Sequence, residues 1–220
     1  MIVYTGGMSD APENQQRQLW FHFLDVVLNV VIIVAIVAGI RTFLVSPFQV
    51  EGSSMVSTLE DNEYIIINKL AYYVGKPDRG EIVVFHPPGE TRKYYVKRVI
   101  GLPGDRVILR GGYVHLQKIG EEKEYRLDES FYLSEHNIGQ TFRHPPGGGD
   151  FSEEVYIVPE GHYFLLGDNR QGSLDSRSFF AKDGAHVPYV STEAIRGRVW
   201  FVALPITKIH AFGPLDYPLP

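Results

Sequence analysis

The chain has 220 residues, with 21 lysines and arginines against 26 aspartates and glutamates, which gives a formal net charge of -5 at pH 7. This length allows one well-packed domain and an anchor, and the acidic balance offers no broad positive field for binding nucleic acid. Because the chain contains no cysteine, thiol catalysis, cysteine-ligated zinc and disulfide bonds are excluded.

The first predicted element is a transmembrane anchor over residues 19–44, which follows a short polar tail over residues 1–18. Residues 26–40 carry no charge, and the aromatic residues before them extend the apolar stretch to roughly the 20 residues that cross a bilayer. A buried strand would not run this long without a turn, and no A-x-A pattern of a cleavable signal peptide follows. Because Arg17 and Arg41 flank the segment one against one, the charges do not predict its orientation.

The rest of the chain, residues 45–220, is predicted to be a mostly β domain. Short runs of β-branched and aromatic residues alternate with turns containing Gly, Pro and Asp, which is typical of antiparallel sheets, and no long amphipathic helix competes. Residues 117–153, which are polar and contain three consecutive glycines, are predicted to be a surface excursion. The predicted strands are 64–68, 81–86, 94–100, 106–109, 113–116, 155–158, 162–167, 199–202 and 208–212.

Two adjacent serines, Ser53 and Ser54, lie in the stretch VEGSSMVSTL and are candidate nucleophiles. A serine attacks a carbonyl group only when a base removes its proton, and the usual base is a histidine held by an aspartate. The sequence contains no G-x-S-x-G, H-E-x-x-H or S-x-x-K motif, so the base must be sought elsewhere.

Lys97, in the stretch YYVKRVIGLPGD, is the candidate base. Strand alternation places it on one face with Tyr95 and Val99, while Arg98 points to the other face. Apolar surroundings disfavour the ammonium form, and a base acting near neutral pH needs a pKa about 2 to 3 below the reference of about 10.4. The pattern alone leaves open a strand lysine whose amine reaches water.

Five blocks of the sequence, in one order, resemble the type I signal peptidases of peptidase family S26. The first block directly follows the predicted anchor, and the set spans most of residues 40–202. The resemblance implies a membrane-anchored serine endopeptidase that removes signal peptides from exported preproteins, with a β-rich catalytic domain and a Ser/Lys dyad. The blocks are SPFQVEGSSMVSTL (46–59), RGEIVVF (79–85), YYVKRVIGLPGD (94–105), GHYFLLGDNRQGSLDSR (161–177) and IRGRVWFV (195–202).

The resemblance also implies roles for individual residues. Ser54, which directly precedes the methionine, matches the nucleophile, and Lys97 matches the general base. The backbone N–H of Ser54 is expected to be one oxyanion donor. Some family members have a serine as second donor at the position of Gly52, so we expect a backbone group or a water there. Ser173 matches the serine that hydrogen-bonds and orients the lysine amine.

Supporting residues follow from the same resemblance. The ion pairs Asp168–Arg98 and Asp175–Arg177 are expected to hold the site without taking part in the chemistry. An extended substrate is expected to bind by strand addition, with small side chains at the positions one and three before the cut. The expected substrate-binding residues are Phe48, Gln49, Val50, Gly52, Met55, Tyr95 and Val96.

Two departures from the family pattern stand out. Ser57 replaces the proline two residues after the methionine, which is expected to loosen the turn after the nucleophile. The segment at residues 178–186 is longer than the usual spacing. The eight histidines are scattered without ligand spacing, so we expect no metal and no other cofactor.

The resemblance implies a single-pass protein of the cell membrane whose catalytic domain lies outside the cytoplasm, with preproteins and the lipid bilayer as partners. Two alternatives remain at this stage. One is a related Ser/Lys protease with another substrate, such as a self-cleaving repressor. The other is a non-catalytic, membrane-anchored β module that binds exported peptides.

Overall fold

The computed structural model describes residues 12–143, 153–181 and 183–213. The chain divides into two compact units, which meet in sequence between Leu44 and Val45. Most of the predicted tail, residues 1–11, and the glycine-rich end of the predicted excursion, residues 144–152, lie outside the described residues.

The first unit contains the helix α1 (Pro12–Gly39), which is followed by a π-helical turn at Ile40–Leu44. The helix begins seven residues before the predicted anchor, at a proline whose fixed φ suits a first helical turn. The 23 residues Arg17–Gly39 have a mean hydropathy of 2.5 over their most apolar window, and none of that window is buried against the protein. At about 1.5 Å per residue such a helix is long enough to cross a bilayer, which fits a membrane anchor.

The second unit is almost entirely β, and the predicted fold class is confirmed. The described residues also include a short helix α2 (Ala71–Val74) and 3-10 turns at Thr192–Ala194 and Ile206–Lys208. The strands in chain order are β1 (Val45–Gln49), β2 (Tyr64–Asn68), β3 (Ile82–Phe85), β4 (Tyr95–Gly101), β5 (Arg106–Arg110), β6 (Tyr113–Gln117), β7 (Glu124–Arg126), β8 (Glu154–Ile157), β9 (His162–Leu166), β10 (Val190–Ser191), β11 (Ile195–Leu204) and β12 (His210–Ala211).

These strands form two antiparallel sheets. The larger sheet has the order β1-β2-β11-β3-β4-β9-β10, with β12 paired to β11, and the smaller one has the order β7-β6-β5-β8. Strand β4 is central because it pairs with β3 through Ile82–Phe85 and with β9 from Arg98 onwards. Its first residues, Tyr95 and Val96, precede the β9 pairing, so one edge of the strand is left open there.

The larger sheet is buried on both faces around β3. Ile82 and Val84 pack into one apolar cluster with residues of β2 and β11, whereas Val83 and Phe85 pack into a second cluster with residues of β9. A strand covered on both sides needs apolar residues at every position, which explains the uninterrupted sequence IVVF. The catalytic candidates on the neighbouring strand β4 are thereby fixed in a rigid framework.

The prediction of a surface excursion over residues 117–153 is wrong for its middle part. Strand β7 joins the smaller sheet, and Leu127, Glu129, Leu133 and Thr141 are buried. The sequence is polar here, but polar side chains can be buried when they find partners, and Glu129 finds an arginine. The longer segment at residues 178–186 closes on itself through a hydrogen bond from the Val187 N–H to the Phe179 carbonyl (2.9 Å).

Candidate active site

A groove of about 570 Å³ lies in the second unit and is lined by residues of β1 and of the start of β4. Among the described residues, β1 pairs only with β2, and the start of β4 pairs only with β3, so both strands present backbone groups without sheet partners. An extended peptide can bind such strand edges through its main chain. The groove lining includes Phe48, Gln49, Val50, Gly52, Ser53, Ser54, Tyr94, Tyr95, Val96, Lys97 and Leu174.

The turn that carries Ser54 begins at Gly52, whose φ of +90° lies in the left-handed region that favours glycine. The Gly52 N–H donates to Asp61 Oδ1 (2.8 Å), so it is not the second oxyanion donor. The turn closes through a hydrogen bond from the Val56 N–H to the Ser53 carbonyl (3.1 Å). The Ser54 N–H has no acceptor among the described residues and is free to bind an oxyanion.

Met55 does not line the groove, which corrects its assignment as a substrate-binding residue. Its side chain is only 1% exposed and packs into the apolar cluster beneath the turn together with Leu59. An unbranched, apolar side chain fills such a site well, and it holds the turn to the core. The other six residues expected to bind substrate all line the groove.

Ser54 and Lys97 are in direct contact. The distance between Lys97 Nζ and Ser54 Oγ is 2.7 Å, and the amine also donates to the Val96 carbonyl (2.8 Å). Lys97 is 3% exposed, so the alternative of a lysine reaching into water is wrong. Burial lowers the pKa of Lys97 to about 8, although the nearby Asp175 and Asp168 carboxylates oppose this change. A neutral amine at this distance can accept the hydroxyl proton.

Ser173 does not form the expected hydrogen bond to the Lys97 amine. Its hydroxyl oxygen is buried, and among the described residues the amine bonds Ser54 Oγ and the Val96 carbonyl, not Ser173. The hydroxyl lies against Gly167, where a Cβ atom would come within 2.1 Å of it, and the amine uses the Val96 carbonyl instead. The lysine is therefore oriented by its own strand and by Ser54.

The ion pair Asp168–Arg98 forms on the other face of β4. Arg98 donates from Nε and Nη2 to the two carboxylate oxygens of Asp168, at 2.8 and 2.6 Å, and both side chains are almost completely buried. Thr58 Oγ1 donates to the same carboxylate at 2.5 Å. Since Thr58 follows the nucleophile by four residues, this ion pair fixes the far end of the turn to β4 and to the end of β9.

The second ion pair, Asp175–Arg177, is also bidentate, with distances of 2.8 and 2.7 Å. Burial would raise the pKa of Asp175, but the Arg177 guanidinium and the Gly167 N–H outweigh it and hold the pKa below its usual range. Arg177 also donates to the Phe142 carbonyl at 2.9 Å. The pair thus connects the loop after β9 to Phe142, in the segment that was predicted to be a surface excursion.

Sequence reasoning missed two residues of the loop after β9. The Asn169 backbone N–H donates to the Ser54 carbonyl (3.1 Å), and its side-chain amide donates to the Ser53 carbonyl (3.0 Å). The neighbouring Arg170 is buried against Glu129. Both residues lie in the block GDNRQGSLDSR, and their position in this block was the only sign in the sequence that they belong to the site, because their partners are distant in sequence.

Comparison with known proteins finds matches to one family. Residues 23–204 match the family described as signal peptidase, peptidase S26. Signal peptidase I of Bacillus licheniformis is 33% identical over 205 residues, which cover 92% of this chain and 98% of that protein. Signal peptidase I T of Bacillus subtilis (strain 168) is 40% identical over 184 residues, covering 82% and 85%. The crystal structure of a signal peptidase I from Enterococcus faecalis V583 matches with 27% identity and a TM-score of 0.41, covering 57% of this chain and 98% of that chain.

The chain belongs to the signal peptidase family, peptidase S26. Its activity is that of a signal peptidase I, the hydrolysis of the bond that joins a signal peptide to an exported protein. The apolar N-terminal helix fits a membrane-anchored enzyme of this family.

Proposed function

We propose that Ser54 and Lys97 carry out signal peptide cleavage as a nucleophile and general base. The observation that carries the proposal is the contact of 2.7 Å between the hydroxyl and an amine whose pKa is about 8. Ser54 Oγ attacks the carbonyl carbon of the scissile bond while Lys97 Nζ takes the hydroxyl proton. The oxyanion that forms accepts a hydrogen bond from the Ser54 N–H.

The two half-reactions use the same proton carrier. When the C–N bond breaks, the Lys97 ammonium gives its proton to the leaving amine, and the signal peptide remains as an ester on Ser54 Oγ. A water then attacks the ester carbonyl and loses a proton to Lys97. That proton returns to Ser54 Oγ as the acid leaves, which restores the starting state.

We further propose that the substrate binds in the groove as an extended strand with small side chains one and three residues before the cut. The unpaired edges of β1 and the start of β4 support this binding mode. Phe48, Val84 and Val96, which line the groove, leave limited room and offer apolar contacts. A preprotein with leucine in place of alanine directly before the cut should therefore lose cleavage, while a conservative change to glycine should retain it.

The direct test of the dyad is cleavage of a preprotein with an A-x-A site by the full chain in detergent. Ser54→Ala and Lys97→Met should abolish cleavage. Ser53→Ala is the matched control, because Ser53 contributes its backbone carbonyl to the turn and its side chain makes no contact in the proposed chemistry. Cleavage that survives Ser54→Ala would reject the dyad, and a chain that binds the preprotein without cleaving it would favour the non-catalytic module.

We also propose that the protein is single-pass with its catalytic domain outside the cytoplasm, where the anchor keeps enzyme and preprotein in the same membrane. Confinement to two dimensions raises their effective concentration without any new contact. Because the chain has no cysteine, single-cysteine variants can be labelled without background. In intact cells, a membrane-impermeant maleimide should label Glu121→Cys but not Ser9→Cys, and the opposite pattern would reverse the proposed orientation.

A further inference from the structure

Residues 127–142, here named the brace, connect the smaller sheet to the active site. The brace is attached to strand β6 and its turn at both ends: the Leu127 N–H donates to the Val114 carbonyl (2.8 Å), and the Thr141 N–H donates to the Gly112 carbonyl (2.9 Å). Leu133, in its middle, is buried. The segment is therefore held to the framework along its length.

The main link from the brace to the active site is a buried ion pair between Glu129 and Arg170. The Arg170 side chain is 0% exposed and that of Glu129 is 7% exposed. Arg170 donates to the two Glu129 carboxylate oxygens at 2.5 and 2.9 Å and to Thr141 Oγ1 at 2.6 Å. It also donates to the Tyr132 hydroxyl at 3.2 Å and, from Nε, to the Gly167 carbonyl at 3.1 Å. Each of the five guanidinium N–H groups thus has an acceptor, which fixes Arg170 on the brace.

Arg170 in turn fixes the backbone that holds the nucleophile. Arg170 directly follows Asn169 in the chain. Asn169 donates hydrogen bonds to the Ser53 and Ser54 carbonyls, and these two bonds determine the orientation of the Ser54 backbone. The Gly167 carbonyl, which Arg170 Nε binds, lies just before Asp168 in the same loop. A shift of Arg170 therefore displaces Asn169, which determines the direction of the Ser54 N–H.

Tyr132 provides a second link between the brace and the same turn. Its ring packs against the Arg98 guanidinium at 4.1 Å from the ring centroid. Its carbonyl accepts a hydrogen bond from Ser57 Oγ (3.2 Å), three residues after the nucleophile. Further along, the Gln171 side chain donates to the His136 carbonyl at 2.9 Å. The brace thus contacts both segments that meet at Ser54.

We propose that Glu129 and Arg170 are positioning residues, which hold the Ser54 turn and the loop after β9 in their reactive arrangement. This inference rests on the proposed role of Ser54 and Lys97. A buried ion pair of this kind is weak evidence for stability, since apolar residues of similar volume often replace such pairs at no cost. Its bidentate geometry specifies a direction that apolar packing does not. Stability and positioning can therefore be separated by experiment.

The test compares the double variant Glu129→Leu/Arg170→Met with the wild-type chain in preprotein cleavage and thermal unfolding. We expect kcat to fall about 10- to 100-fold, the loss typical of a small displacement of a catalytic group. KM should change much less than kcat, because most of the groove lining belongs to β1, the serine turn and β4 rather than to the loop after β9. The unfolding midpoint should fall less than that of Glu129→Leu alone, which leaves the Arg170 charge buried without its partner. The matched control is Arg110→Met/Glu124→Leu, the same exchange at an exposed ion pair of the smaller sheet, which should keep wild-type kcat.

A second variant, Arg170→Lys, keeps the positive charge but cannot reach both Glu129 and the Gly167 carbonyl. It should lower kcat much more than it changes KM, and this test remains if the double variant does not fold. Wild-type kcat in either folded variant would overturn the positioning role, and so would a loss confined to KM. Failure of the proposed dyad would give a different result, because the Ser54→Ala variant would then still cleave the preprotein.

Discussion

The lowered pKa of Lys97 makes a quantitative prediction about pH dependence. Burial brings this pKa from an ordinary value of 10.5 to about 8. That difference corresponds to a net penalty of about 3 kcal/mol on the ammonium form, after the Asp175 and Asp168 carboxylates have offset part of the effect of burial. If only the neutral amine accepts the Ser54 proton, kcat/KM follows the neutral fraction, which is about 9% at pH 7 and about 90% at pH 9. The rate should therefore rise about tenfold per pH unit below pH 8 and level off above it.

The assay is the initial rate of preprotein cleavage by the full chain in detergent, at low substrate concentration, from pH 5 to pH 10. Low substrate concentration is needed because kcat/KM reports the ionisation of the free enzyme. Ser53→Ala should give the same profile as the wild-type chain. A flat profile from pH 5 to 9 would refute the lysine base. A rate that still rises tenfold per pH unit at pH 10 would refute the lowering of the Lys97 pKa by burial.

Three further predictions concern the energetics of the site. Lys97→Met should raise the thermal midpoint at pH 7, because below pH 8 the wild-type chain carries the full cost of burying the ammonium group. The difference in midpoint between variant and wild type should shrink as the pH rises towards 10.5, and a difference that stays constant with pH would contradict this prediction. Ser57→Pro, which restores the family residue, should destabilise by more than about 1 kcal/mol because the φ of Ser57 is +85° and proline is fixed near -65°, while Ser57→Gly should be tolerated in chemical denaturation. Arg98→Met leaves Asp168 buried without its ion-pair partner and should cost about 3 to 5 kcal/mol, whereas Arg98→Met/Asp168→Leu should recover much of that loss; an additive double variant would rule this out.

The replacement of the family proline by Ser57 did not have the expected effect. A loosened turn was expected, but Ser57 adopts a left-handed φ of +85° and donates to the Tyr132 carbonyl. The sequence contains the substitution, but the partner that holds the turn is 75 residues away. The conformation that Ser57 adopts therefore could not be predicted without the structure of the brace.

The amino-acid sequence by itself determined the elements whose signals are local. An apolar run of roughly 20 residues predicts a helix long enough to cross a bilayer, and short β-branched runs between turns predict an antiparallel domain. The blocks that resemble signal peptidases identified Ser54 and Lys97 because their neighbours in sequence are part of the pattern. The missed elements are short: strand β1, whose sequence VSPFQ contains a proline, the single-turn helix α2, and strands β7 and β10 have too few residues to show a periodicity.

The tertiary structure alone decided the protonation and direction of the reacting groups. Lys97 is shielded from water only in the folded domain, and its pKa depends on that burial and on charged groups such as Asp175 that are distant in sequence. The burial of Glu129, the inward packing of Met55 and the missing bond from Ser173 likewise depend on which partners the fold brings near. Periodicity reports which face of an element is apolar, whereas the burial of a charge depends on contacts across the whole domain.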